Sequence, residues 1–138
     1  MMREIVFRGK RADNGEWVEG FLLKECNHST CSWNLAIEYK TKRSGVFAYD
    51  VVDIIPETVG QFILTDKNSK KIFEGDIVKL FLDDGIAMGV IRYSENAYRF
   101  MFYEDNVYGY GFDNTCVFEV IGNIYDNPEL LEGNNNAE

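Results

Sequence analysis

One histidine, His28, stands in a chain of 138 residues. A histidine-based acid–base pair or a Ser-His-Asp triad would therefore depend on a single residue in a polar stretch. Proline, with two residues, and cysteine, with three, are nearly as scarce. An odd number of cysteines argues against a closed disulfide framework, so reduced thiols and a cytoplasmic setting are expected. No apolar run approaches the roughly 18 residues of a membrane-spanning helix. The opening MMREIVFRGKR has no apolar core or small-residue cleavage site, and no secretory signal is expected there. G-x-S-x-G, the P-loop and G-x-G-x-x-G are all absent, and GYGF at residues 109–112 is too short to cradle a phosphate.

Positive charge is also in short supply. The net charge is −9, and it is uneven: residues 1–60 balance to −1 and residues 61–138 to −8. Phosphate contacts need Lys and Arg, so this balance disfavours nucleic acid as a partner. An acidic surface keeps a protein soluble, and it can also attract a basic partner or mimic nucleic acid.

What is present reads as a mainly β protein. Residues 3–7, REIVF, are rich in strand formers, and Asn14 and Gly15 tolerate the positive φ of a hairpin turn. Gly20 reads as a bulge in the strand that follows. Trp33, Leu35, Ile37 and Tyr39 alternate along one face, TKRSG turns the chain, and Pro56 ends an apolar stretch. Further on, residues 76–82 and 86–93 form a hairpin about Asp84 and Gly85. A strand over 98–103 with Tyr98, Phe100 and Phe102 on one face and another over 115–124 follow. Asn127 and Pro128 open a short helical turn. The expected architecture is an N-terminal β subdomain (1–58), a small SH3-like barrel (59–132) and a disordered polar tail (133–138).

MREI near the start, VGQF at 59–62, TDKNSKKIFEGDIVK at 65–79 and VIGNIYDNPELL at 120–131 together resemble the YopX family of phage and prophage proteins of Gram-positive bacteria. The resemblance spans residues 2–131, although 24–50 carries no matching motif. It implies a phage-encoded, mostly β protein and transfers no catalytic residue. Family members often carry Asn-Gly where this chain has Asn68 and Ser69. Either the turn is of another type or Asn68 alone is left-handed, because a Ser at positive φ is costly.

Several clusters have competing readings. Cys26, His28 and Cys31 could hold zinc with Cys116 or a carboxylate, but their spacing is not that of a common zinc module, and neither metal nor cofactor is expected. Asp83, Asp84, Glu104 and Asp105 fall at turns, where Asp serves its own backbone, so they make a poor paired-carboxylate site. In the FEGD stretch, Asp76 opens a strand and Glu74 is expected in solvent. The basic groups Arg8-Lys10-Arg11, Lys40-Lys42-Arg43 and Lys67-Lys70-Lys71 could converge near Trp17 or Trp33 as a nucleic-acid patch, or simply solvate strand ends. Tyr108, Tyr110 and Phe112 recur at period two between glycines. They read either as an aromatic edge that meets a partner or as a hairpin packed on its own core. No catalytic residue is assigned. The resulting expectation is a non-enzymatic protein acting by binding to a host or phage protein or to itself, with nucleic acid as the alternative and an enzyme the least favoured.

Overall fold

The computed structural model describes residues 4–27, 32–105 and 109–135. The fold is mainly β, as the alternating patterns indicate, and the chain divides into two compact units, residues 1–62 and 63–138.

The first unit contains β1 (Phe7–Lys10), β2 (Trp17–Asn27), β3 (Ser32–Arg43), β4 (Val46–Asp53), a 3-10 turn (Pro56–Thr58) and the start of β5 (Gly60–Thr65), which runs across the boundary. The strands lie in the order β4-β3-β2-β1-β5, and the β1–β2, β2–β3, β3–β4 and β1–β5 pairs are antiparallel. The first strand begins at Phe7, later than REIVF suggests, because Phe7, Arg8, Gly9 and Lys10 are the residues in register with β2. Asn14 and Gly15 turn the chain as expected, with Gly15 at φ 75 and the Asn14 side chain accepting from the Glu16 N–H. Gly20 is where β2 leaves β1 for β3. A Cβ there would sit 2.1 Å from the Glu38 carbonyl oxygen, so only glycine allows the close approach. Beyond β4, Ile54 bridges Arg11, which draws the end of β4 back to the end of β1. Ala36, Ile37 and Ile54 are the fully buried apolar residues of this unit among those described.

The second unit contains the end of β5, then β6 (Lys71–Phe73), β7 (Asp76–Leu82), β8 (Gly85–Ser94), β9 (Arg99–Tyr103), β10 (Gly109–Tyr110), β11 (Val117–Asn123) and the helix α1 (Glu129–Asn135). Strands β7 to β11 form an antiparallel sheet in the order β10-β9-β8-β7-β11. Ile72, Val78, Ile91, Phe102 and Phe118 form its core. Ile77 and Val78 point to opposite faces of β7, yet both are fully buried, so the start of this hairpin is covered on both sides.

Several local readings shift. Leu82 pairs with Gly85, so the turn residues are Asp83 and Asp84, one position earlier than the Asp-Gly signal implied. At the DKNSKK turn it is Ser69, at φ 64, and not Asn68, that takes the left-handed conformation. Tyr98 belongs to the turn before β9, at φ 54 and largely exposed, and does not share a strand face with Phe100 and Phe102. The helix runs to Asn135, into the polar tail. Asn127 does stand just ahead of it, but its side-chain oxygen accepts from the Asn123 N–H, so it grips β11.

Candidate interaction surface

The carboxylates of the second unit most invite a catalytic reading. Asp66 is buried and accepts backbone N–H groups from Asn68 and Lys70 on one oxygen and from Val120 on the other. Burial alone would raise its pKa, but the three donors outweigh burial and hold the carboxyl below its usual range. Asp66 is therefore a staple that ties the turn to β11. Asp76, 1% exposed, accepts from the Phe73 N–H at 2.8 Å and holds the turn through Gly75, whose φ is 93. Glu74 is half-buried and not fully in solvent. Burial raises its pKa, opposed in part by a hydrogen bond with the Tyr93 backbone.

A shallow cavity of about 340 Å³ is lined by Arg99, Gly111, Phe112, Asp113, Thr115 and Cys116. Its charged groups are already engaged. The Arg99 guanidinium donates to the Phe112 carbonyl at 2.6 Å. The Asp113 carboxylate accepts from the Thr115 hydroxyl and N–H, and those bonds, with Arg99 nearby, keep its pKa low. An anion with satisfied lone pairs is poorly placed to act as a general acid.

The aromatic trio resolves into separate surroundings. Tyr108 lies outside the described residues. Tyr110 pairs with Phe102 at the end of the sheet and is exposed. Phe112 is half-buried and packs edge-on against Phe118, 5.3 Å between centroids, so its ring belongs to the core. Of the thiol–imidazole cluster, Cys26 is exposed on β2, while His28 and Cys31 lie outside the described residues. Among the described residues no three His, Cys, Asp or Glu side chains gather as a metal site would require.

Several of the basic residues lie over aromatic rings. Arg8 and Lys10 on β1 lie over the Trp17 ring, at 4.6 and 5.4 Å. Arg11 is taken by Asp13, in an ion pair at 2.9 Å that raises the pKa of the guanidinium and lowers that of the carboxyl. Lys67 sits over Phe81 and 3.7 Å from Glu119. Lys40 and Lys42 lie over Phe47, at 4.2 and 5.9 Å.

That last group belongs to a surface the sequence did not single out. Among the described residues, β3 has no registered partner on the β2 side beyond Glu38, and β3 and β4 continue together as a two-stranded arm. Its tip is Ser44 and Gly45, both at positive φ, which suits a two-residue hairpin turn. Lys42 stands opposite Phe47, Lys40 opposite Tyr49 and Glu38 opposite Val51. Val46, Phe47, Tyr49 and Val51 are all exposed, Phe47 by 65% and Tyr49 by 58%. A strand pattern in which aromatic residues alternate with Ala48 and Asp50 reads as half-buried, so only the absence of a covering layer could have revealed this face.

The family model for the YopX protein matches residues 6–132. The chain belongs to the YopX family. A solved structure, protein EF1440 from Enterococcus faecalis, is similar over 93% of this chain and 98% of that one, with a TM-score of 0.54 and 24% identity, and shares the fold. No curated protein matches. In this YopX-family chain the motif segments of the second unit meet one another. Asp66 bonds Val120, Asp76 pairs with Asn123, Gly75 packs on the Tyr125 ring, and Gly122 leaves room for the Asn127 side chain. The residues that carry the family resemblance thus build the fold, whereas the arm lies within residues 24–53, most of which carry no family motif. No helix among the described residues is long and apolar enough to cross a membrane.

Proposed function

We propose that this YopX-family chain is a non-enzymatic phage or prophage accessory protein that works in the host cytoplasm by binding, with the β3–β4 arm as its contact surface. The observation that carries this reading is the exposure of Phe47, Tyr49 and Val51 on one face of a terminal strand of the first unit. Large apolar side chains clustered on a regular strand mark a surface that a macromolecule covers, and a rim of Lys40, Lys42 and Glu38 gives it polar selectivity. A catalytic reading finds little support in the engaged carboxylates of the second unit. The test uses wild type and Phe47→Ser/Tyr49→Ser as baits in a lysate of the host. Material retained by wild type and lost by the double variant supports the arm as contact surface; equal retention by both overturns it.

A nucleic-acid reading draws on the pairing of Lys40 and Lys42 with Phe47 and of Arg8 and Lys10 with Trp17, since cations beside rings suit stacked bases. The net charge of −9 opposes it. A shift assay with single- and double-stranded DNA at low salt decides; no shift removes this reading.

A further inference from the structure

Resting on the arm as contact surface, we infer that its occupant is a second copy of this chain, added antiparallel along β4 about a two-fold axis at Tyr49. The backbone parity of β4 is fixed by two bonds near its end. The Ile54 N–H donates inward to the Leu35 carbonyl of β3, and the Asp53 carbonyl accepts outward from Ala12. In an antiparallel pair a residue's N–H and C=O point to the same side, and the sides alternate. Phe47, Tyr49 and Val51 share the parity of Asp53, so their backbone groups face the outer edge. Among the described residues β4 is terminal in the strand order, so no strand pairs with that stretch.

Most of the usual defences of an edge strand are missing from it. Between Val46 and Val52 there is no proline and no lysine, and the pairing with β3 from Asp53 to Val46 has no register shift and so no bulge. The sequence is also self-complementary. Centring the axis on Tyr49 sets Tyr49 against Tyr49 of the second copy, and Phe47 against Val51 of the second copy and the reverse. Each such pair exchanges two backbone hydrogen bonds, and every outward-facing residue between Val46 and Val52 is used. Aromatic–β-branched neighbours are favourable across strands. The one charge in the stretch, Asp50, falls opposite Ala48 of the second copy, so no like charges meet head-on. Slipping the register by two residues, the smallest step that keeps the outward groups facing each other, sets Val51 against the turn residue Gly45 and loses a pair.

The experiment is light scattering on the purified full-length chain over a range of concentrations, with Tyr49→Pro alongside. Proline at 49 removes an N–H that β3 does not use, so the ladder within the arm survives while the central pair of the dimer cannot form. Wild type should pass from monomer to dimer as concentration rises, and Tyr49→Pro should raise the dissociation constant by at least about tenfold with an unchanged far-ultraviolet spectrum. Should that variant fail to fold, Phe47→Lys/Val51→Lys places charges on the same edge and should have the same effect. A wild type that stays monomeric, a trimer or higher ring, or a dimer that survives in a folded edge variant overturns the inference. If wild type is monomeric while the arm variant still loses retained material from the lysate, self-pairing falls and the binding surface stands. If a single-stranded oligonucleotide shifts the monomer, the arm serves nucleic acid instead.

Discussion

Ser69 is a β-hydroxyl residue held where glycine is at ease. Its φ of 64 places Cβ against the backbone at a cost of about 1–2 kcal/mol, and the turn accepts this because Asp66 binds the residues on either side. Ser69→Gly should therefore stabilise the protein by about 1 kcal/mol, read as a rise in the urea midpoint with unchanged slope. Glu74 acts in the opposite sense. Its carboxyl titrates above the value it has in the unfolded chain, so the folded state holds the proton more tightly. Stability is then favoured at low pH and falls as pH rises from the unfolded pKa through the folded one. Glu74→Gln removes that dependence and should leave the protein at least as stable at pH 7; a clear loss of stability at pH 7 would show that the charge is needed.

At the scale of elements, the second unit depends on how β11 is gripped. One edge of β11 pairs with β7, and on the other Val120 donates to Asp66 while the Phe118 carbonyl accepts from Lys67. Asp66→Ala orphans three backbone donors and should cost about 2–4 kcal/mol. Because the carboxyl titrates below its unfolded value, its contribution is whole above about pH 4 and is lost as pH falls through the folded pKa. Wild type and Asp66→Ala should thus converge in stability at low pH, which acid titration followed by circular dichroism reads directly. Gly75→Ala should also destabilise, by about 1–3 kcal/mol, since φ is 93 and the new Cβ would press on the Tyr125 ring at 3.0 Å.

The strands themselves were legible. Alternation marks β3, Asp84-Gly85 marks the β7–β8 hairpin, and Asn14-Gly15 marks the first one. The misplacements have local causes. Gly85, at φ 154, already pairs with Leu82 as the first residue of β8, so the two-residue turn falls on Asp83 and Asp84. Phe112 reads like Tyr110 by spacing, yet the backbone leaves the sheet after Tyr110 and sends the ring inward. The arm is hidden in the sequence because an exposed strand and a half-buried one share the same period.

At the scale of the whole molecule, charge is distributed by unit. Residues 61–138 carry almost all of the net −9, while both tryptophans, Trp17 and Trp33, lie in the first unit. Self-repulsion weakens an acidic domain, and added salt screens it. Going from 0.01 to 0.1 M salt shortens the screening length from about 30 to about 10 Å. The thermal midpoint followed by far-ultraviolet circular dichroism should rise more than the midpoint followed by tryptophan fluorescence, which reports on the first unit alone. A larger shift in fluorescence would contradict this division.

The bond from Val120 to Asp66 joins residues 54 apart in the chain. Closing so long a segment is slow, and it cannot begin until the far end exists. During synthesis residues 1–62 emerge first, whereas the core around Phe118 must wait for β11, the last strand described, to leave the ribosome. Over that interval Ile72, Val78 and Ile91 have no Phe118 to bury them, and the nascent second unit is most vulnerable to proteases and to its neighbours.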